Sequence, residues 1–345
     1  MLADLALVGF GHVGRRFVRL LDERRDRLAR EHDLTWRVTG IATRRHGAIQ
    51  AATGVDALAA ARQLEAGGSL PAAGAPPLDS SRAVIAALAE SVAPLRVLVE
   101  TTTLDITDAR AALDHVRLAL EAGCHVATAN KGPAAFAYRE LSEIAARNGR
   151  LFLFEGAVMD GVPVFNLVRE TMPTVRIEGF RGVVNSTTNH ILTAVEDGLE
   201  YAPALAQMQA EGIAEADPSL DVDGWDAAAK AAALSNVFLD GEITPHDVER
   251  TGIGPDTAAW ARAAAARGCR VRLVASARRG SRPSVRPVEL PGDDLLAGLR
   301  GMANALILET DTLGRVAISQ LDGGLTQTAY ALLSDLVTIR NSCRN

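Results

Sequence analysis

Cysteine, long apolar runs and excess positive charge are all scarce in this sequence, and each shortage excludes a class of protein. The three cysteines, Cys124, Cys269 and Cys343, lie far apart and fit no disulfide framework or metal-site spacing. No apolar run approaches the roughly 18 residues that cross a bilayer. The short apolar run LALVGFG ends in glycines rather than a cleavage site, so we expect no signal peptide. The net charge of -6 provides no basic field for nucleic acid. We therefore expect a cytoplasmic protein that binds neither membranes nor nucleic acid.

Short apolar strands alternate with helices in the N-terminal part of the chain. The predicted strands are LALVG, WRVTGIAT, LRVLVET, CHVATAN and LFLFEG. This alternation predicts βαβ units and a parallel sheet. After about Gly156 the pattern becomes mixed and includes a predicted hairpin, NALILET with RVAISQ, before a last helix. We predict an α/β fold with a Rossmann dinucleotide-binding domain over residues 1–133 and an α+β domain over residues 134–309, with residues from about 310 to 345 packing back on the first.

A glycine-rich turn follows the first predicted strand. In VGFGHVG, Gly9 permits the tight turn, Gly11 lets the backbone approach a pyrophosphate, and Gly14 lets a helix pack on the strand. The phosphates would lie at the helix N-terminus, where free amide groups favour anions. The predicted cofactor contacts of this turn are Gly9, Phe10, Gly11, His12, Val13 and Gly14. The alternative is a glycine turn in an α/β protein that binds no ligand.

The end of the second strand bears on the choice between NAD and NADP. An NAD enzyme usually carries a carboxylate there, about 20 residues beyond the glycines. IATRRHG instead offers Thr43, Arg44 and Arg45. Because arginine suits a 2′-phosphate, we favour NADP over NAD. The alternative is that both arginines are solvated loop charges.

Two later strand ends should also face the cofactor, because ligands of open α/β sheets bind beyond the carboxyl ends of the strands. ETTT places Thr102 at one of these ends, where its hydroxyl can donate to the cofactor. TANKGP places Lys131 at the other, at the mouth of the cleft. The alternative for Lys131 is an ordinary exposed lysine in a turn.

The stretch GIAEADPSLDVDGWDAAAK combines many acids with one cation. Six carboxylates lie between Glu211 and Asp226, and Lys230 follows among alanines. A calcium loop is disfavoured, since Lys230 occupies the position that should carry a bidentate glutamate. A solvated acidic surface accounts for part of the pattern, because Asp223 or Gly224 can begin the next helix and Asp226 suits its first turn. It does not account for the single lysine.

A catalytic site is the third interpretation of this stretch. Asp226 and Lys230 are four residues apart, so on a helix they share one face and can pair. The flanking alanines leave little water around the amine. Desolvation lowers the pKa of a lysine and nearby carboxylates raise it, a balance that suits a proton donor and acceptor. Glu215 on the preceding loop can bind an ammonium or hydroxyl group of a polar substrate.

With these residues in view, the chain resembles the homoserine dehydrogenase family nearly from end to end. The most specific parts are residues 215–230 and NSTTNHIL, which are not general features of dinucleotide-binding enzymes. The matching segments are VGFGHVG, VETTT, ATANKGP, FEGAVMDGVP, GVVNSTTNHIL, GIAEADPSLDVDGWDAAAK, VELPGDDLLAGLRGMANALILETD and LDGGLTQTAYALLSDLV. The resemblance implies reversible reduction of L-aspartate 4-semialdehyde to L-homoserine with NAD(P)H, on the route to threonine and methionine.

The resemblance also implies roles for individual residues. Lys230 matches the proton donor, and Lys131 matches a second lysine between cofactor and substrate. The implied substrate contacts are Glu215, Asp226 and Asp221, and the implied contacts near the cofactor are Gly212, Thr102 and Gly324. Members of the family are commonly dimers. We therefore expect residues 134–309 to form a substrate-binding, catalytic and dimerisation domain, in a homodimer or a dimer-based oligomer whose other partner is the small-molecule substrate.

FEGAVMDGVP resembles a loop of the family that binds a monovalent cation. The implied ligands are Glu155 and the backbone carbonyls of Val158, Asp160 and Val162. Such oxygen coordination suits Na⁺ or K⁺ in a structural role. The alternative is a simple strand-to-helix turn in which Glu155 is the anion at the helix end.

Three places depart from the family pattern. Ser186 stands where the family usually has glycine, His190 where it has tyrosine, and QLDGG over residues 320–324 where it has GPGAG. These differences bear on cofactor affinity and preference rather than on the reaction class. Because the sequence stops at Asn345, we also expect no appended ligand-sensing domain and no threonine feedback through one.

Overall fold

The computed structural model of the chain describes residues 1–70, 81–210 and 217–343. The chain folds into two compact units. The first unit is Met1–Pro133, Ala137–Phe165 and Gly324–Asn345, and the second is Ala134–Phe136 and Asn166–Gly323. No helix within the described residues has the length and apolar character needed to span a membrane.

The first unit contains six strands and their connecting helices. The strands are β1 (Leu2–Val8), β2 (Thr35–Ala42), β3 (Ala48–Gln50), β4 (Leu95–Glu100), β5 (His125–Thr128) and β6 (Phe152–Leu153). The helices are α1 (His12–Glu23), α2 (Arg25–His32), α3 (Ala57–Glu65), α4 (Ser81–Ala89), α5 (Arg110–Glu121), α6 (Gly132–Arg147) and, at the end of the chain, α13 (Leu325–Ser342). Helix α6 is kinked at Ala137, where the two units meet in the sequence.

The first sheet has the strand order β3-β2-β1-β4-β5-β6. Its neighbours are parallel except β3, which runs antiparallel to β2. The chain builds outward from β1 to β3 on one side and from β4 to β6 on the other. This places the topological switch between β1 and β4, where sheets of this type bind ligands beyond the carboxyl ends of their strands.

The core of the first unit joins both ends of the chain. Leu5 and Leu7 of β1 and Phe17 of α1 are fully buried in one cluster with Leu332 and Leu336 of α13. Because β1 lies between β2 and β4 in a parallel sheet, its apolar run is buried on both faces. Helix α13 therefore belongs to this unit, although it follows the strands of the second unit in the chain.

The second unit contains a mixed sheet and its helices. The strands are β7 (Ile177–Val183), β8 (Glu249–Arg250), β9 (Arg270–Arg278), β10 (Ser284–Leu290), β11 (Asn304–Thr310) and β12 (Arg315–Gln320). The helices are α7 (Phe165–Thr171), α8 (Ser186–Glu196), α9 (Tyr201–Ala210), α10 (Ser219–Val222), α11 (Trp225–Phe238) and α12 (Pro255–Ala265). Helix α7 begins on the last residue of the first unit.

The second sheet has the order β12-β11-β7-β9-β10-β8 and is antiparallel except between β8 and β10. The predicted hairpin is β11 with β12. Helix α11 packs on β9 and β10, and its alanine side chains at 227–229 and 231–233 are at most 2% exposed. Together the two units confirm the predicted α/β fold class with a second α+β domain.

The two compact units divide the chain differently from the predicted boundaries of 133, 134 and about 310. Residues 137–165 join the first unit because β6 within them pairs with β5. Residues 310–323 stay with the second unit because β12 pairs with β11, and the return to the first unit begins at Gly324.

Candidate active site

The glycine-rich turn joins β1 to α1. Gly9 has a φ of +86°, and a Cβ added to it would lie 2.5 Å from the carbonyl carbon and oxygen of Thr101. A Cβ on Gly14 would lie 3.1 Å from the carbonyl oxygen of Gly9. A Cβ on Gly11, in contrast, would meet no described atom within 4 Å. Gly11 immediately precedes α1, so the open space beside it fits a pyrophosphate approaching the helix N-terminus.

This turn lines a cavity of about 620 Å³ in the first unit, a size that suits a small-molecule ligand. The predicted cofactor residues that line it are Gly9, Phe10, Gly11, Arg44, Arg45 and Thr102. Arg15 of α1 and His115 of α5 line it as well, and the sequence did not single them out. The loop after β2, residues 43–47, carries two arginines and no carboxylate. His12 and Val13 begin α1 beside the turn.

Two further predicted cofactor contacts follow β4 and β5. Thr102 is half-buried, and its hydroxyl donates a hydrogen bond to the buried carboxylate of Glu100. Lys131 is half-buried and is the residue immediately before α6. Its neighbour Asn130 accepts a 2.9 Å hydrogen bond from the backbone N–H of Gly132, which fixes the turn that carries the lysine.

Lys230 lies on α11 in the second unit. Its Nζ is 3.0 Å from Oδ2 of Asp226, one helical turn earlier, so the predicted pairing of these side chains is present. Nζ also donates a 2.6 Å hydrogen bond to the carbonyl oxygen of Val184. The Lys230 and Asp226 side chains are only 14% and 15% exposed. The buried alanines on either side therefore keep this ion pair largely away from water.

Asn185 joins the acids of this site, and the sequence did not single it out. It lies between β7 and α8, where its Oδ1 caps the helix by accepting from the N–H of Thr188 at 2.9 Å. Its Nδ2 donates to Asp221 at 2.7 Å and to Asp226 at 2.9 Å. We call Asn185, Asp221, Asp226 and Lys230 the Lys230 cluster. Two sequence signals pointed to the neighbourhood of Asn185: NSTTNHIL is a specific segment of the family resemblance, and it begins with an N-cap residue type.

Burial changes the protonation behaviour of Asp221. Burial and the neighbouring Asp226 carboxylate raise the pKa of Asp221, while Asn185, Lys230 and Thr187 oppose the rise. The cluster therefore holds two carboxylates and one ammonium in a small, poorly hydrated space. Such an arrangement can bind a polar ligand and exchange a proton with it.

Two predicted contacts, Gly212 and Glu215, lie outside the described residues. The start of α11 is described: Gly224 precedes it with a φ of +82° and no side-chain cap. Of the two residues expected to begin this helix, Gly224 is therefore the one at the N-cap, with a backbone that favours glycine.

Gly324 lies in the first unit, where its N–H donates to Oδ2 of Asp160 at 3.2 Å, just before α13.

The predicted cation loop lies in the first unit. Oε1 of Glu155 accepts hydrogen bonds from the N–H groups of Val164 and Phe165, at 2.6 and 2.9 Å. The side chain of Asp160 accepts from Thr328 at 3.0 Å as well as from Gly324. Across the described residues, no three or more His, Cys, Asp and Glu side chains form a metal site.

Two of the three departures from the family pattern, Ser186 and the segment 320–324, have hydrogen-bond partners in the structure. Ser186 is the first residue of α8, and its hydroxyl accepts a 2.7 Å hydrogen bond from Asn304. Gln320 ends β12 and donates to the carbonyl oxygen of Asp322.

Sequence models of two domains match this chain. The model described as "Homoserine dehydrogenase, NAD binding domain" matches residues 9–155, and the model described as "Homoserine dehydrogenase" matches residues 163–337. The second match alone covers half of the chain and contains the whole Lys230 cluster. The chain belongs to the homoserine dehydrogenase family.

Individual relatives extend this similarity over the full chain. The "NAD(+)-dependent homoserine dehydrogenase" of Pseudomonas canavaninivorans is 36% identical over 345 residues, which cover 98% of this chain and 96% of the relative. The homoserine dehydrogenase of Methanocaldococcus jannaschii is 34% identical over 342 residues, or 99% of each chain. A hyperthermophilic archaeal homoserine dehydrogenase solved in complex with NADPH superposes with a TM-score of 0.81 at 30% identity, covering 99% of this chain and 98% of that one.

Proposed function

We propose that this protein catalyses the reversible, NAD(P)H-dependent reduction of L-aspartate 4-semialdehyde to L-homoserine, in threonine and methionine biosynthesis. The observation that carries the proposal is Lys230, which α11 holds between Asp226 and the carbonyl of Val184. Only two of the 36 basic residues are lysines, and they are Lys131 and Lys230. Arginine does not give up its proton in proteins, whereas a desolvated lysine can. Lysine therefore occurs in this sequence only at the two positions proposed for catalysis.

The bound reduced nicotinamide supplies the hydride for the aldehyde carbon. In that step, Lys230 donates a proton to the aldehyde oxygen as it becomes the hydroxyl group, and in the reverse reaction it accepts that proton. Asp226 and the Val184 carbonyl fix the direction of the ammonium group, so little reorganisation is needed when the oxygen gains charge. Lys131 acts as a second catalytic lysine, between cofactor and substrate.

The acids of the second unit hold the substrate. Asp226, Asp221 and Glu215 bind the amino and hydroxyl groups of the amino acid, and Asn185 sets the spacing of the first two. Support comes from the two hydrogen bonds of Asn185 and from the low exposure of Asp226 and Lys230. We assign the substrate-binding, catalytic and dimerisation roles to the second unit, in place of the predicted span of residues 134–309.

Steady-state assays of the wild-type enzyme test this function. We expect oxidation of NADPH with L-aspartate 4-semialdehyde, and reduction of NADP⁺ with L-homoserine but not with L-serine. Faster turnover of glutamate 5-semialdehyde would indicate a reductase of another amino-acid semialdehyde. Cofactor binding without turnover of any aldehyde would indicate a sensor.

All but one of the proposed cofactor contacts belong to the first unit, the exception being Gly212, which is not among the described residues. We assign Gly9, Phe10, Gly11, His12, Val13, Gly14, Thr102, Lys131, Gly212 and Gly324 to this role. The turn geometry supports the part of the set that surrounds the pyrophosphate, because Gly11 faces open space at the start of α1.

NADP is the preferred cofactor in this proposal. Arg44 and Arg45 line the cavity directly after β2, where an NAD enzyme usually has a carboxylate. Substituting both by alanine should lower kcat/KM for NADPH by about 10-fold for each lost charged hydrogen bond, and leave kcat/KM for NADH within about twofold. Arg62→Ala on α3 removes one positive charge at an exposed site outside the cavity and serves as the control for each of the two single substitutions. Equal loss with both cofactors would contradict the preference.

In this proposal the structural ion is a monovalent cation, Na⁺ or K⁺. Its ligands are Glu155 and the backbone carbonyls of Val158, Asp160 and Val162. Glu155 already accepts hydrogen bonds from the backbone N–H groups of Val164 and Phe165. A bound ion would therefore further stabilise a turn that these bonds already hold. We expect a higher melting temperature in NaCl or KCl than in choline chloride at equal ionic strength. Equal melting temperatures would favour the simpler turn, with Glu155 only as the anion at the helix end.

The remaining assignments are a homodimer, or an oligomer built from dimers, in the cytoplasm. Sedimentation equilibrium measures the oligomeric state directly, and a mass of 36.4 kDa, that of one chain, would contradict the homodimer. Fractionation of cells expressing the tagged protein tests the cytoplasmic location.

A further inference from the structure

Glu100 is a fully buried carboxylate behind the cofactor cavity. It is the last residue of β4 and is 0% exposed. Its Oε1 accepts from the backbone N–H of Thr102 at 2.9 Å and from the Thr102 hydroxyl. Its Oε2 accepts from the hydroxyl of Thr128, the last residue of β5, at 2.7 Å. Glu100 therefore bonds to groups at the ends of two neighbouring strands.

Asn130 closes these contacts into a ring. Its side-chain Nδ2 donates to the Thr102 hydroxyl oxygen at 3.2 Å, and its backbone N–H donates to the Thr128 hydroxyl oxygen at 3.0 Å. Glu100, Thr102, Asn130 and Thr128 thus form a closed set of hydrogen bonds. Because each member has a partner on either side, the ring fixes how the loops after β4 and β5 lie relative to each other.

The ring lies on the nicotinamide side of the switch point. The loop after β2 belongs to the half of a Rossmann sheet that holds the adenosine, so the loops after β4 and β5 belong to the other half. Thr102 is the ring member that lines the cavity. Its hydroxyl is therefore placed toward the nicotinamide end of a dinucleotide in that cavity.

The ring also determines whether the Thr102 hydroxyl donates or accepts a hydrogen bond on its cavity side. A hydroxyl has one proton, and that proton is directed to Oε1 of Glu100. Burial raises the pKa of Glu100, against hydrogen bonds from Thr102 and Thr128 that lower it. A neutral Glu100 would carry its proton on Oε2, since Oε1 must accept the Thr102 backbone N–H. The hydroxyl of Thr102 therefore points its proton inward in either state. Asn130 Nδ2 donates to one of its two lone pairs, so one lone pair is left to accept from a ligand in the cavity.

We propose that Glu100 is a positioning residue for the cofactor: it turns the proton of the Thr102 hydroxyl away from the cavity, so that Thr102 accepts a hydrogen bond from the nicotinamide carboxamide. This inference rests on the nicotinamide cofactor of the proposed function. It reverses the expected direction of the Thr102 contact, which the sequence predicts as a donor to the cofactor.

The test compares the binding of NADP⁺ with that of its 3-acetylpyridine analogue. The analogue has a methyl ketone in place of the carboxamide and therefore no N–H to donate. For the wild-type protein, a calorimetric titration should show about threefold to tenfold tighter binding of NADP⁺, the net value of one hydrogen bond. Glu100→Ala and Thr102→Val should both abolish this preference. Glu100→Gln should keep it, because its amide oxygen replaces Oε1 and the Thr128 hydroxyl can turn to accept from its NH₂ group.

A fragment without the nicotinamide controls for damage to the fold. Binding of 2′-phospho-adenosine diphosphoribose should stay within about twofold of wild type in Thr102→Val and Glu100→Gln. If Glu100→Ala does not fold, Thr102→Val and Glu100→Gln still give opposite expected results. Equal wild-type binding of NADP⁺ and the analogue, or a preference that survives in Thr102→Val, would overturn the inference.

The two proposals fail in different ways. Binding of the dinucleotide with the expected preference, but without homoserine oxidation, would overturn the proposed function alone. Homoserine oxidation by a protein that binds both dinucleotides equally would overturn the role of Glu100 alone.

Discussion

The glycine turn of the first unit and the Lys230 cluster of the second unit place their functional groups by different means. At the turn, the backbone is the functional element: Gly9 adopts a φ of +86° and Gly11 leaves open space before α1. In the cluster, side chains hold one another, since Asn185 bonds to two acids and Asp226 pairs with Lys230. A backbone site is sensitive to an added Cβ. A side-chain site is sensitive to the loss of one partner, because the remaining groups then each lose a hydrogen bond in a poorly hydrated space.

Two glycine substitutions test the backbone half of this comparison. Gly9→Ala should lower the free energy of unfolding by about 2–4 kcal/mol, because of its positive φ and its overlap with the Thr101 carbonyl. Gly11→Ala is the matched control: it should keep the wild-type melting temperature and weaken cofactor binding by about 10-fold, because its methyl group fills only the open space. Thermal melts and cofactor titrations of both variants measure these effects. A normal melting temperature for Gly9→Ala would contradict this account of the turn.

Asn185 tests the side-chain half. Asn185→Ala should lower kcat/KM by about 10-fold or more, since it removes two hydrogen bonds to carboxylates, and should lower the free energy of unfolding by about 1 kcal/mol through the lost helix cap. Asn185→Ser keeps an oxygen for the cap but has no amide to donate. It should therefore show the same loss of kcat/KM with most of the stability restored. Full activity of Asn185→Ser would show that the amide does not organise the acids.

Asp221→Asn tests how the Lys230 cluster treats a buried carboxylate, and its expected effect on stability is the smallest of these substitutions. Because the fold raises its pKa, Asp221 stabilises the protein below its unfolded pKa of about 4, and this contribution is lost as the pH rises through the folded pKa. At pH 7 Asp221→Asn should therefore raise the melting temperature by about 1–3 °C while lowering activity. The difference should disappear in melts below about pH 4. A lower melting temperature at pH 7 would mean that the cluster stabilises the ionised carboxylate.

The parts of the site predicted from the sequence are those encoded locally. Gly9, Gly11 and Gly14 lie within six residues, and their spacing reports backbone geometry directly. The pairing of Asp226 with Lys230 follows from one turn of a helix. Asn185 lies 36 and 41 residues from its acidic partners, so its contacts depend on the packing of α8 against later elements. The Glu100 ring was missed for the same reason, since it joins the ends of separate strands.

The fold shows the same division between local and distant information. Strand periodicity identified the parallel sheet and the β11–β12 hairpin. It also included LFLFEG, the segment of β6, among the strands of that sheet, but it did not show that the first unit extends beyond residue 133 to Phe165. Nor did it show that the helical segment after the glycine turn is two helices, α1 and α2, separated at Arg24.

The most direct measurement is turnover and NADPH binding in Lys230→Ala, with Lys230→Arg as a variant that keeps the charge but cannot release a proton. The account predicts a fall in kcat of about 10²–10⁴-fold in both variants, the usual contribution of a general acid. NADPH affinity should stay close to wild type in both, because the glycine turn that we propose as the cofactor site lies in the first unit. Turnover near the wild-type rate in Lys230→Ala would contradict the central claim.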